Sequence, residues 1–144
     1  MTRADAIKRV AVLDASAAVS WFFADERDDD SIAMAAAVTA NGAIVPALFR
    51  WEVQNAFMTA ARRKKISLDD VAMYLEALDE LDLQVDEVSL KSPLTAGLGL
   101  ANRFDLSAYD AAYLELAVRR SLPLMTRDKR LRRAAEELRL LWKP

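Results

Sequence analysis

The chain has 144 residues, 53% of them hydrophobic and 29% charged, the balance of one globular domain with a single core rather than of a disordered segment. It contains no His and no Cys, which excludes imidazole general bases, Ser-His-Asp triads, zinc sites built on imidazole or thiolate, and disulfide frameworks. The net charge of −2 and pI of about 5.2 supply no global basic field for nucleic acid, so any catalysis rests on carboxylates, hydroxyls, Lys, Arg or Tyr.

Met1 to Arg9 holds no apolar run fit for a signal peptide, and no later run is long enough to span a membrane. A cytoplasmic protein without a membrane segment is expected. Arg9 to Asp14 predicts a short buried strand ending in an acid, and Ala15 to Ala24 a helix. The acidic stretch to Asp30 predicts a turn, with Ser31 capping a helix that ends at Gly42. Ala43 to Val45 is a second strand, closed by Pro46, and Ala47 to Lys65 a long helix. Ser67 to Asp70 is a capping box that opens a helix to about Asp82. Leu83 to Val88 predicts a third strand, and Ser92-Pro93 the start of a helix through Phe104. A helix from Ser107 to about Ser121 follows, then a strand over Pro123 to Thr126, a helix from Lys129 to Leu138, and an edge strand over Arg139 to Trp142.

Strands separated by helical segments imply crossovers. The expected fold is α/β: a mostly parallel sheet of four to five short strands flanked by helices, in one domain over residues 1–144. The helical excess between the second and third strands predicts a small protrusion over about residues 47–82.

In the helix from Ser107, Asp110 falls on the apolar stripe of Ala111, Leu114, Ala117 and Val118 at about 100° per residue. An aspartate facing a core is costly unless it is paired, hydrogen-bonded or bound to a cation. Ser107-x-x-Asp110 also fits a capping box, which needs no buried acid. Three more acids share this edge of the sheet. In an open parallel sheet ligands bind beyond the carboxyl ends of the strands, and there stand Asp14, after the first strand, and Asp128, after the fourth. Glu52 lies early in the long helix, on the margin of its apolar arc, beside Asn55 and Thr59. Asp14 and Asp128 also suit helix caps, and Ser16 and Thr126 place hydroxyls beside them with the same ambiguity.

Carboxylates gathered at about 5 Å repel by roughly 3 kcal/mol per pair at an effective dielectric of about 20. Protonation or a cation must resolve this, and an all-oxygen donor set selects a hard divalent ion, Mg²⁺ or Mn²⁺. Such a site suits phosphodiester hydrolysis, because the ion acidifies a bound water and stabilises charge on phosphate oxygens. The basic residues Arg62, Lys64, Arg127, Lys129 and Arg130 neighbour these acids in sequence and are candidates for phosphate contacts, against the alternative of a solvated face.

Four stretches carry a family resemblance: Val12-Leu13-Asp14-Ala15-Ser16, Trp51-Glu52-Val53-Gln54-Asn55, Ser107 to Ala117 around Asp110, and Thr126-Arg127-Asp128. In order and spacing the set resembles PIN-domain ribonucleases, and more narrowly the VapC-type toxins of toxin–antitoxin pairs. The resemblance implies an endoribonuclease dependent on Mg²⁺ or Mn²⁺. Asp14, Glu52, Asp110 and Asp128 would bind metal directly or through water, with Ser16, Thr126 and Asn55 in support. An activated water would attack phosphorus in line, leaving a 5′-phosphate and a 3′-hydroxyl. It further implies a homodimer, and a hetero-oligomer with a cognate antitoxin that sends a basic side chain into the acidic site. Trp21, Phe22, Trp51, Met58 and Tyr74 suit either a partner groove or core packing. The alternatives are a nuclease outside any toxin pair and a catalytically silent module binding RNA or protein.

Overall fold

Short runs of apolar residues become the strands, because a parallel strand buried on both faces has no polar side to alternate with. β1 (Ala11–Leu13) and β2 (Ala43–Val45) are buried throughout, while β3 (Leu83–Val85) and β4 (Leu124–Met125) complete the sheet. The order is β3-β2-β1-β4 and every pairing is parallel, with Val12 opposite both Ile44 and Leu124. The computed structural model describes residues 10–144. Arg9, the first residue of the expected opening strand, and the stretch Met1–Arg9, where no signal peptide is expected, lie outside the described residues.

Parallel neighbours require crossovers. α1 (Ala15–Ser20) and α2 (Asp29–Asn41) join β1 to β2, and α3 (Phe49–Arg62) and α4 (Leu68–Asp79) join β2 to β3. A single 3₁₀ turn (Val88–Leu90), α5 (Leu98–Phe104) and α6 (Ala108–Arg120) join β3 to β4, and α7 (Lys129–Glu137) follows. The helices flank the sheet as the α/β pattern predicts. α6 packs on β1, β4, α5 and α7, and α3 on α1 and α4. Among the described residues no helix is long and apolar enough to cross a membrane.

Local chemistry shifts several expected boundaries. α2 is capped by Asp28 rather than Ser31. The Asp28 carboxylate accepts the Ser31 N–H and the Ser31 hydroxyl accepts the Asp28 N–H, both at 2.9 Å. The acidic stretch thus supplies the cap and first turn of the helix, where carboxylates meet its positive end. Pro93 opens only a turn. Gly97, at φ 80°, breaks the backbone before α5 starts at Leu98. β3 stops at Val85, and the residues to Val88 turn away into the 3₁₀ segment. The final edge strand reduces to one bridge, Leu124 with Leu141, after the left-handed residue Arg139 (φ 58°) that follows α7. Gly42 has a firm reason to be glycine: at φ 73°, a Cβ there would lie 2.6 Å from the Asp82 carbonyl oxygen.

The bulky residues between α1 and α4 resolve mostly as packing. Phe22 lies 4.8 Å from Tyr74 and 5.5 Å from Phe57, ring centre to ring centre, tying the end of α1 to α3 and α4. Trp51 alone of that set stands largely in solvent, at 62% exposure. On α6 the buried residues are Ala111, Tyr113, Leu114, Leu116 and Ala117, and Val118 is exposed.

Candidate active site

Asp14 begins the site. Its backbone N–H donates to the Met125 carbonyl at 2.9 Å, extending the β1–β4 ladder by one residue and fixing where the side chain starts. The carboxylate caps nothing, although Asp14 occupies the position before α1. It is 4% exposed, and its Oδ2 accepts the Ser16 hydroxyl at 2.5 Å and the Thr126 hydroxyl at 2.7 Å. Ser16 Oγ accepts the Arg127 N–H at 3.0 Å, and Thr126 Oγ1 accepts the Asp128 N–H at 3.2 Å. These bonds weld the end of β1 to the loop after β4. Burial pushes the Asp14 carboxyl up to about 6; the two hydroxyls pull it down, and the charges of Glu52 and Asp110 raise it further.

Glu52 comes from the first turn of α3 and is partly buried. Tyr113, fully buried on α6, donates its hydroxyl to Glu52 Oε1 at 2.5 Å. Burial raises the Glu52 pKa, the Tyr113 hydrogen bond lowers it, and Asp110 raises it. Asp110 sits in the first turn of α6, with its N–H donating to the Ser107 hydroxyl at 3.1 Å. Its side chain is half-buried rather than enclosed. Burial raises its pKa first, the Asp128 charge next, and the Ser107 hydroxyl opposes both. Asp128 does cap its helix: Oδ1 accepts the Leu131 N–H at 2.9 Å. The two readings of the acids therefore divide, with Asp128 a cap and Asp14 not.

Four carboxylates from four segments thus act electrostatically on one another. Two of them, Glu52 and Asp128, line a cleft of about 520 Å³ with Ser16, Val19, Glu26 and Arg127, among others. The interactions run between Asp14 and Glu52, Asp14 and Asp110, Glu52 and Asp110, and Asp110 and Asp128. Among the described residues no group of three or more acids is gathered closely enough to enclose a metal ion. The chain belongs to the PIN-domain family. The family model matches residues 11–137, nearly the whole described chain. PIN domains are generally nucleases. The fold is similar to the crystal structure of PAE2754 from Pyrobaculum aerophilum, at a TM-score of 0.65 and 24% identity over 88% of this chain and 80% of that one. No curated protein sequence matches significantly.

The remaining expected residues of this PIN domain are placed unevenly. Ser16 and Thr126 hold Asp14 as described. Asn55 is exposed and makes no hydrogen bond to the acids; Ala56, one turn on from Glu52, lines the cleft in its place. Arg127 reaches the cleft but is engaged, its guanidinium gripping Asp28 through two bonds at 2.5 and 2.7 Å and the Glu26 carbonyl at 3.3 Å. Arg130 pairs with Asp105 at 3.2 Å, and Lys129 is exposed at the start of α7. Arg62 and Lys64 line a separate hollow of about 640 Å³ at the α3–α4 turn, with Met58, Ile66 and Leu68. Sequence reasoning missed two participants, Tyr113 and Asp28. The available signal for Tyr113 was its position one turn after Asp110 on the same helix face.

Proposed function

We propose that this PIN domain is a Mg²⁺- or Mn²⁺-dependent endoribonuclease and the toxin of a toxin–antitoxin pair. The observation that carries the reading is the electrostatic linkage of Asp14, Glu52 and Asp110, with Asp128 linked to Asp110, at a cleft that Glu52 and Asp128 line. The donor set fits a hydrated ion rather than a closed cage. Asp14 Oδ2 takes both hydroxyl bonds, which would leave Oδ1 for a ligand. Mg²⁺ keeps several waters and takes only one or two carboxylates directly, so acids that do not enclose an ion suffice. A bound ion would supply a water of lowered pKa and would neutralise charge on the scissile phosphate.

The chain's own residues have separable tasks. Ser16 and Thr126 hold the Asp14 carboxylate in one orientation. Asp128, whose Oδ1 is held by its cap on α7, would offer its other oxygen. Asp110 and Glu52 bring negative charge from α6 and α3, which a cation offsets. Phosphates of an RNA strand would be met by Arg127, Lys129 and Arg130 near the cleft and by Arg62 and Lys64 at the helical turn. Arg127 would exchange Asp28 for phosphate. The acidic lining also suits the basic side chain of an antitoxin segment, and a homodimer in the cytoplasm completes the proposal.

One observation favours a second reading, a silent binding module: the acids do not enclose an ion. Cleavage decides between them. Wild-type protein with Mn²⁺ is expected to cut RNA and leave 5′-phosphates, and Asp110→Asn to lower the rate at least 100-fold while remaining folded. Equal cleavage by the variant ends the mechanism. Growth arrest on expression, relieved by a small neighbouring DNA-binding protein, would separate a toxin from a nuclease of another role.

A further inference from the structure

We propose that Tyr113 is a positioning residue for the Glu52 carboxylate, fixing Oε1 so that Oε2 is the oxygen offered to the cleft. This rests on the metal-dependent reading of the site. The geometry is specific. Tyr113 is wholly buried on α6, the helix that packs on β1 and β4. Its hydroxyl reaches across to α3, 61 positions away in sequence, and meets Glu52 Oε1 at 2.5 Å. The hydroxyl has a single proton, and it is donated to Glu52.

A buried tyrosine needs an acceptor, and a backbone carbonyl would satisfy it. Here the acceptor is a carboxylate that lines the cleft. Glu52 has no other side-chain hydrogen bond among the described residues, and Asp110 repels it. Without the phenol, a flexible glutamate beside a like charge gains by turning to solvent. Asp110 and Tyr113, one turn apart on α6, therefore set the spacing of two acids from one rigid element. Tyr113 touches neither substrate nor ion and acts through Glu52.

The test uses the full-length chain. Tyr113→Phe keeps the ring and removes the hydroxyl, while Glu52→Gln approaches the same bond from its exposed end. Mn²⁺ affinity is read by calorimetry without RNA, and kcat and KM on an RNA oligonucleotide beside it. Tyr113→Phe is expected to weaken Mn²⁺ about 10-fold, in the range for residues that orient a metal's ligands, and to lower kcat with KM little changed. The double variant should be no weaker than Glu52→Gln alone. Equal Mn²⁺ affinity in wild type and Tyr113→Phe, including no binding by either, overturns the proposal. So do effects of the two substitutions that simply multiply. A contrast in Mn²⁺ affinity without RNA cleavage by wild type would sink the nuclease reading and leave Tyr113 in its role.

Discussion

Replacing Asp14 with Asn is expected to stabilise the ion-free protein, by an amount that grows with pH. The Asp14 carboxyl is raised from 3.8 to about 6 on folding, chiefly by burial. Below its ordinary value it is neutral in folded and unfolded chains alike, and stability is unaffected. Between the two values the unfolded chain releases a proton that the folded chain keeps, so stability falls as pH rises. Above about 6 the full penalty applies, and a shift of about two units is worth about 3 kcal/mol. Asn keeps an oxygen for the Ser16 and Thr126 hydroxyls and carries no charge, though neutral hydrogen bonds recover somewhat less. The net gain should be about 2 kcal/mol at pH 8 and near zero at pH 4. For a chain of this size that is roughly 4–8 °C in melting temperature. Urea or thermal unfolding in EDTA from pH 4 to 8 measures it. Parallel stability curves for wild type and variant would refute the argument, because they would mean that the carboxylate carries no penalty. Adding Mn²⁺ should reverse the order, since an ion that binds only the folded, ionised site stabilises wild type by mass action.

Two further outcomes are expected. Arg119 grips Asp86, which is 2% exposed, at 2.6 Å and also pairs with Glu115 at 2.8 Å. Burial alone would raise the Asp86 pKa, but the Arg119 bonds and charge hold it below the usual carboxylate range. Arg119→Met should cost about 3 kcal/mol at pH 7 by stranding that charge. The deficit should shrink as falling pH lets Asp86 protonate, and a pH-independent deficit in urea unfolding would point to lost packing instead. Arg62→Glu with Lys64→Glu should weaken RNA binding and flatten its dependence on log salt by about 1.4, two contacts at about 0.7 each for a single strand. An unchanged slope by fluorescence anisotropy would remove the α3–α4 turn from the RNA path.

What was legible in the sequence was what is local. Ala11–Leu13 and Ala43–Val45 could only be buried strands, and Ser67, Ser107 and Asp128 cap the helices that they precede because a cap acts within three residues. Where several neighbours compete for one local role, the choice fails. The run Asp28-Asp29-Asp30-Ser31 offers four capping side chains, and reciprocity between the first and last selects Asp28. Pro93 suits a helix start, but Gly97 four residues on carries the left-handed turn that postpones it. The nearness of Asp14 and Asp128 was readable from topology, since the ends of neighbouring parallel strands share an edge. Contacts that depend on rotamers across the fold were not. The Tyr113–Glu52 bond spans 61 positions and the Arg127–Asp28 pair 99, and neither follows from any periodicity.

The placement of α6 explains how a site that repels itself can persist. Asp110 adds a like charge to Glu52, Asp14 and Asp128, and each such interaction opposes the folded state without an ion. The same helix carries the counterweight. Ser107 holds its first turn, Tyr113, Leu114, Leu116 and Ala117 bury its face against β1 and β4, and Arg119 bonds its last turn to Asp86 just past β3. Burying three large side chains stabilises by roughly 5–9 kcal/mol, of the order of the repulsions that it offsets. The helix is therefore fixed by its apolar face and its C-terminal ion pair, which leaves the charge at its N-terminus free to be set by function. Under the proposed metal-dependent reading, a cation would have only charge to neutralise and no helix to move.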